Sequence, residues 1–350
     1  MKSQRQWKRV AHISDIHIRT IARQGEYKAV FEKLFLSLRN EAVDAVIITG
    51  DTVHGKTQMS PELIEMLYFL FENLNKLGIK IIIIPGNHDA SLSNLSRTDA
   101  LSPVLMLSEF KNIDYLRDTG VYNYGDVDIY HYSVFQDKST FDTTIQNPDN
   151  TNIALYHGPI NGSQNEFQFT FESNMTAGFF RPFDFTMLGD IHMRQCLQEE
   201  NPIWYAGSLI QQNYGEEVEK GYLIWDLTDK SVEFIKIEND NAFHTLYAKN
   251  NILEDKIFLA SSPRVRLYFD KLSMSRLEEI KSEVVQKYGA IEIIPHEVEG
   301  LLETDLKDEF EDSDFYDIAV QNKLIKEYLR TRYPSLTKKE TEKIIEVNSD

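Results

Sequence analysis

Residues 44–57 read DAVIITGDTVHGKT, and two different folds depend on how they are taken. Taken literally, Gly50 to Thr57 satisfies G-x-x-x-x-G-K-[ST], the phosphate-cradling loop of nucleotide hydrolases. That loop needs small residues, so that consecutive backbone N–H groups curl around a phosphate, and a helix that starts at the Lys-Thr. Here Asp51 would place a carboxylate inside the cradle, Val53 and His54 are bulky, and the best helix start is Ser60 as N-cap with Pro61 behind it. The segment YLIWD, ending at Asp226, imitates the acid-tipped strand that would hold magnesium, but no Glu follows. The loop reading therefore fails. Gly50 instead provides the turn that exposes Asp51 at the end of a buried strand.

The same arrangement recurs on both sides of that stretch. RVAHIS, DAVIIT, KIIIIP, NIALYH and DFTMLG read as buried strands. YKAVFEKLFLSLRNEA and PELIEMLYFLFENLNKLG read as amphipathic helices, the second closed by Gly78. This alternation predicts a β/α layered domain. Each strand ends in polar residues: SDIH, GDTVH, GNHD, HG and GDIH. The shorter runs PIWYAGS, GYLIWDL and VEFIKI suggest a second sheet completing a two-layer core. From about residue 241 a strand, RVRLYFD, a helix, SRLEEIKSEVVQKYG, and a strand, AIEIIP, form a compact βαβ-like unit. An acidic run follows at 296–317, then SDFYDIAVQNKLIKEYLRTRYP, which puts Phe315, Ile318, Ile325, Tyr328 and Leu329 on one helical face.

The 350 residues, 42% hydrophobic and 26% charged, describe a soluble globular chain. No apolar run reaches the length of a membrane span, and the N-terminus lacks the apolar core of a signal peptide. A single cysteine, Cys196, excludes an intrachain disulfide and a cysteine zinc cage, which fits the cytoplasm. A net charge of −18 argues against a generic nucleic-acid coat, because such binding gains its affinity by neutralising phosphates. It does not exclude an enzyme acting on DNA. Acids used as metal ligands are offset by the cations, and much of the excess sits in the acidic run.

In an α/β sheet, loops at the carboxyl ends of the strands converge on one crevice. That convergence would gather Asp15, His17, Asp51, Asn87, His88, His157, Asp190 and His192. Any one of these motifs alone is an ordinary strand-end turn. Five in succession, all carrying oxygen and nitrogen donors, point to two divalent ions that clamp a phosphoryl group and activate a water.

The ordered set DIH, GD, GNHD, H and GDIH resembles the calcineurin-like metallophosphoesterase superfamily across roughly residues 8 to 238. Within it the chain looks most like the SbcD-type nuclease subunit of DNA double-strand-break repair complexes. Three features carry that finer likeness: His54, three residues after Asp51; the stretch YAGSLIQQNYGEEVEKGYLIWDL; and the order of small βαβ-like unit, acidic linker and amphipathic C-terminal helix. The resemblance implies a four-layer αββα nuclease domain at 1–240, a capping domain at 241–296, and an ATPase-binding segment at 297–350. It implies one metal held by Asp15, His17 and His192, another by Asn87, His157 and Asp190, and Asp51 bridging. His88 would stabilise the transition state or protonate the leaving oxygen, and His54 would position the phosphate. Asp89 reads as an orienter of His88 or of its loop.

One departure concerns the last motif, commonly Gly-His-x-His in these nucleases but GDIH here. Asp190 either ligates, which tilts preference toward manganese or magnesium, or orients His157. Lys56, Arg19, Arg23 and Arg194 are candidate DNA-backbone contacts. The partners implied are DNA, an SbcC-type coiled-coil ATPase and a second copy of the chain through the first helices. A small-molecule phosphodiesterase and a non-catalytic scaffold are the rival readings.

Overall fold

A computed structural model describes residues 6–19, 21–55, 59–94, 97–257 and 260–298. The predicted C-terminal helix, most of the acidic run and Lys56 lie outside the described residues.

The chain begins with β1 (Arg9–Ile13), α1 (Gln24–Asn40), β2 (Ala45–Thr49), α2 (Pro61–Asn75), β3 (Lys80–Ile84), α3 (Ser102–Leu107) and β4 (Ile113–Tyr115). Next come β5 (Gly120–Asn123), β6 (Val127–Tyr132), β7 (Thr151–His157), β8 (Phe185–Gly189), β9 (Gln195–Gln198), β10 (Ile203–Tyr205), β11 (Gly221–Asp226) and β12 (Val232–Lys236). The first sheet runs β12-β11-β1-β2-β3-β4 and the second β5-β6-β7-β8-β10-β9. Strands β1 to β4 are mutually parallel, as are β6, β7 and β8, with β10 parallel to β8.

The two-residue period of each strand decides which core it feeds. In β2, Val46 and Ile48 face α1 and α2, whereas Ala45 and Ile47 face the second sheet. In β7, Ile153 and Leu155 meet them there, and Ala154 and Tyr156 point outward into a third apolar cluster. Both faces of these strands are covered, which explains their near-continuous apolar sequences. Helix α2 begins where expected: the Ser60 hydroxyl accepts from Leu63 N at 3.2 Å and Pro61 occupies the first turn. It buries Leu63, Met66, Leu67, Leu70, Phe71 and Leu74, a stripe that contributes on the order of 10 kcal/mol of transfer free energy. Truncating Phe71 to Ala would remove about 3–5 kcal/mol of that packing.

The α/β sandwich stands as expected, with two differences of arrangement. Strands β11 and β12 do not build the second sheet; β11 pairs antiparallel with β1 and extends the first. The motif-bearing strands are thus divided, with β1, β2 and β3 in one sheet and β7 and β8 in the other. An alternating apolar pattern marks a strand as buried but does not say beside which neighbour. The second difference is the fourth layer. Among the described residues no α-helix covers the outer face of the second sheet. Loops and a 3-10 turn at Ala177–Phe180 do so, packing Phe141, Phe171, Phe179, Phe180 and Phe183 on Tyr130, Tyr132 and Tyr156.

The appended unit has a four-stranded sheet. It comprises β13 (Phe243–Lys249), β14 (Ile252–Leu253), β15 (Arg264–Phe269), α4 (Met274–Tyr288) and β16 (Glu292–Glu297), in the order β14-β13-β15-β16. Leu277, Ile280 and Val284 of α4 cover its own small core. Strands β13 and β14 were not foreseen: FHTLYAK alternates on a half-buried surface, and β14 has only two residues.

Candidate metal centre

The strand ends that carry the motifs do meet. Asp15 and His17 follow β1, Asp51 and His54 follow β2, and Asn87 and His88 follow β3. His157 ends β7, and Asp190 and His192 follow β8. Four of these acid and imidazole residues sit in left-handed backbone: Asp15 at φ 50°, His17 at 47°, Asp51 at 51° and Asp190 at 98°. That region is sparsely populated by non-glycine residues, so the surrounding structure imposes it. The close approach also demands glycine at position 86, where a Cβ would lie 2.1 Å from Asp51 Oδ1.

Two groups of donors lie within reach of a shared cation. Asp15, His17 and His192 form one, with His17 Nε2 and His192 Nε2 only 3.0 Å apart. Asp15, Asp51 and His157 form the other. Asp51 Oδ2 stands between the groups, 3.5 Å from His17 Nε2 and 3.4 Å from His157 Nε2. Asn87 Oδ1 is 3.2 Å and Asp190 Oδ1 3.6 Å from that same His157 nitrogen. His17, His54 and His88 make a third cluster at the rim, His54 and His88 stacked with centroids 5.5 Å apart.

The orientation of the imidazoles fits metal ligation. His157 Nδ1 donates to Thr49 O at 2.8 Å and His192 Nδ1 to Glu216 Oε1 at 2.7 Å, so His157 presents Nε2 to Asp51 and Asp190 and His192 presents Nε2 to His17. Thr49 O takes the Nδ1 hydrogen of His157, and Asp190 Oδ1 lies on the Nε2 side of that ring, as do Asp51 Oδ2 and Asn87 Oδ1.

The electrostatics agree. Burial lowers the pKa of His157, but Asp51 and then Asp15 and Asp190 outweigh it and hold a proton there well above the usual range. Burial raises Asp51, yet the protonated His157 depresses it far below an ordinary carboxylate. Burial, followed by Arg19 and His88, lowers His54 to about 3. Burial likewise keeps His17 well below its usual value, leaving a neutral imidazole with a lone pair available. Buried carboxylates that draw protons onto neighbouring imidazoles have the donor chemistry to take divalent cations instead.

His88 sits beside this cluster. Its backbone N donates to Asp51 Oδ1 at 2.7 Å and its Nδ1 to His54 O at 2.8 Å, which turns Nε2 away from that carbonyl. Asp89 does not touch the His88 ring in a hydrogen bond; its oxygens accept from Val53 N at 2.9 Å and Gly86 N at 2.8 Å, stapling the β2 and β3 loops together. Burial, then Asp51, raises its pKa to about 8.

The candidate DNA contacts separate. Arg23 is turned inward: it is buried, binds both oxygens of Glu26 at 2.9 Å and donates to Gln211 O, so its charge serves the fold and not a ligand. Arg19 donates to Gln212 Oε1 at 3.0 Å, and the Arg194 guanidinium lies 3.5 Å from the centre of the Phe234 ring. Sequence reading missed Glu216, the partner of His192. Its only signal was its place inside the stretch 205–227 already marked as family-like.

A calcineurin-like phosphoesterase family profile matches residues 8–194. The chain belongs to that family. Uncharacterized protein R555 of Acanthamoeba polyphaga mimivirus is 34% identical over 362 residues, an alignment covering 97% of this chain and 26% of that protein. This chain therefore spans about a quarter of the length of that relative. Among solved structures, a dimetal phosphatase from Danio rerio is 11% identical with a TM-score of 0.43, covering 66% of this chain and 96% of that one. The nuclease MPE of Pseudomonas putida is 14% identical with a TM-score of 0.32, covering 64% and 87%. The residues matched include the donor groups Asp15, Asp51 and His157, and Asp15, His17 and His192, which have the chemistry to hold divalent cations. Among the described residues no helix is long and apolar enough to cross a membrane.

Proposed function

We propose that the chain is a two-metal nuclease that hydrolyses DNA phosphodiesters in the processing of double-strand breaks, with manganese, or else magnesium, as its ions. The observation that carries this reading is the stacked pair His54 and His88 at the rim of the carboxylate and imidazole cluster. A phosphodiester has a poor leaving group and no proton of its own, so a protonated group beside the reacting phosphorus is needed. With Nδ1 committed to His54 O, His88 would meet that need from Nε2 as an imidazolium. Asp15, His17, His192, Asp51, Asn87, His157 and Asp190 would hold the ions, which supply a nucleophilic water and neutralise phosphate charge when bound. His54, kept neutral, accepts or donates one hydrogen bond to the ester without repelling the cations. The appended four-stranded unit and the position of His54 favour DNA over a small ester.

Cleavage of end-labelled linear duplex DNA in manganese, with bis-p-nitrophenyl phosphate as control, tests this. The wild type should shorten the duplex, and His88→Ala should lower cleavage by about 100-fold or more while keeping its metal. Cleavage of the small ester alone would remove the DNA assignment, and full activity of the variant would remove the role of His88. In the same reading a coiled-coil ATPase partner is held by residues 297–350. Their deletion should abolish co-purification with that partner and spare the intrinsic cleavage; undiminished co-purification would refute the assignment.

A further inference from the structure

We infer that Glu216 is a positioning residue for the first metal site, and that the segment Gly207–Lys220 is the clamp that builds this site. The inference rests on the two-metal reading above. Glu216 is buried, yet five groups converge on its carboxylate. They are His192 Nδ1 at 2.7 Å, Lys220 Nζ at 2.9 Å, Ser208 Oγ at 3.0 Å, Gln212 N at 3.1 Å and Asn213 Nδ2 at 3.4 Å. A buried carboxylate is costly unless paired and hydrogen-bonded, and this one is both.

The same segment holds His192 from the other side. Lys220 Nζ donates to His192 O at 2.9 Å and Ser208 N to that oxygen at 3.1 Å, while Gly207 passes so close that a Cβ would lie 2.7 Å from it. It also grips the loop carrying Asp15 and His17. Leu209 N donates to Ser14 O at 3.2 Å, and Gln212 Nε2 donates to Ile16 O at 3.2 Å. The donors of the first group come from β1 and β8, which lie in different sheets, so something must set their separation. Residues 207–220 touch both. Glu216 fixes which nitrogen of His192 carries its hydrogen and leaves Nε2 facing His17 Nε2, the atom pair that would share one ion.

The test is manganese content and affinity, read by titration calorimetry and elemental analysis, which do not depend on the ester cleaved. The double variant Glu216→Leu/Lys220→Met removes both buried charges with little change in volume. It should bind one ion as wild type does and the other 10- to 100-fold more weakly, with cleavage of bis-p-nitrophenyl phosphate recovering as manganese is raised. Glu216→Gln keeps an acceptor for Nδ1 and should restore most of the lost affinity. Glu216→Asp keeps the charge pair and the fold but withdraws the acceptor, so it should weaken the same ion even if the double variant does not fold. Wild-type affinity for both ions in Glu216→Asp would overturn the inference. A wild type that takes up two ions but cleaves no DNA would leave it standing and remove only the nuclease reading.

Discussion

Removing one carboxylate, Glu26, tests how the appended unit is fastened to the phosphoesterase domain. Glu26 lies on α1 with its side chain 1% exposed, and two guanidinium groups close on it: Arg23 at 2.9 Å and, from β15, Arg264 at 2.5 Å. Each arginine side chain is 10% exposed. Asn239 Nδ2 adds a hydrogen bond to Glu26 at 2.8 Å, and Arg23 and Arg264 both lie over the Phe243 ring. Burial by itself would lower the Arg23 pKa, but Tyr27 and Glu26 raise it above the ordinary arginine value. Glu26→Gln would leave two buried positive charges facing one another, with carbonyl oxygens, the half-exposed Glu292 and the more distant charge of Glu216 to compensate. Breaking a buried pair in this way costs about 3–5 kcal/mol, a large part of the 5–15 kcal/mol that holds a typical domain. Equilibrium urea denaturation at pH 7 should show that loss. Adding Arg264→Met should restore part of it, giving a coupling above about 2 kcal/mol in the double-mutant cycle. Proteolysis should also open first at residues 238–242, the connection that the triad guards. A loss below about 1 kcal/mol with additive single variants would mean that water screens the triad and that it is no fastener.

Two further outcomes follow from the geometry. Gly86→Ala should cost about 100-fold in phosphodiester cleavage, since the new methyl displaces Asp51 by the order of an ångström; unimpaired kcat on bis-p-nitrophenyl phosphate would refute the close approach. His131, fully buried on β6 with Nδ1 donating to Asp118 O, should make the fold acid-sensitive, because burial outweighs that carbonyl and lowers its pKa from 6.5 to about 3. The folded chain keeps it neutral whereas the unfolded chain takes up a proton below pH 6.5, so stability is lost as pH falls from 6.5 toward 3. Between pH 7 and 5 the loss is about 2 kcal/mol, and the unfolding free energy from urea titration should fall by that much more in wild type than in His131→Gln; parallel falls would show that His131 is not buried neutral.

The strands and the donors at their tips were legible because both signals are local. An apolar run of five residues followed by Asp, His or Asn reads the same in the sequence as in the sheet. What was not legible depends on partners distant in the chain. Strand β6 hides its burial behind Asp128 and His131, polar residues satisfied by Asn123, Asn147 and Asp118, so VDIYHY does not look like a core strand. Arg23 looked like a phosphate contact because an arginine beside a catalytic motif has the same letter whether it faces solvent or a buried glutamate. Glu216 lies in the run GEEVEKG, which by composition is a solvated loop. Its role comes from His192 twenty-four residues earlier and from Lys220 four residues later in an irregular loop, and neither relation has a period that sequence alone reveals. The candidate ligands sit at strand ends because a sheet delivers them there. The residues that orient those ligands lie wherever a later segment crosses the same crevice. In this chain that crossing is Gly207–Lys220, an acidic stretch that hydrogen-bonds both the loop after β1 and His192 after β8, and so joins the two sheets at the candidate metal centre.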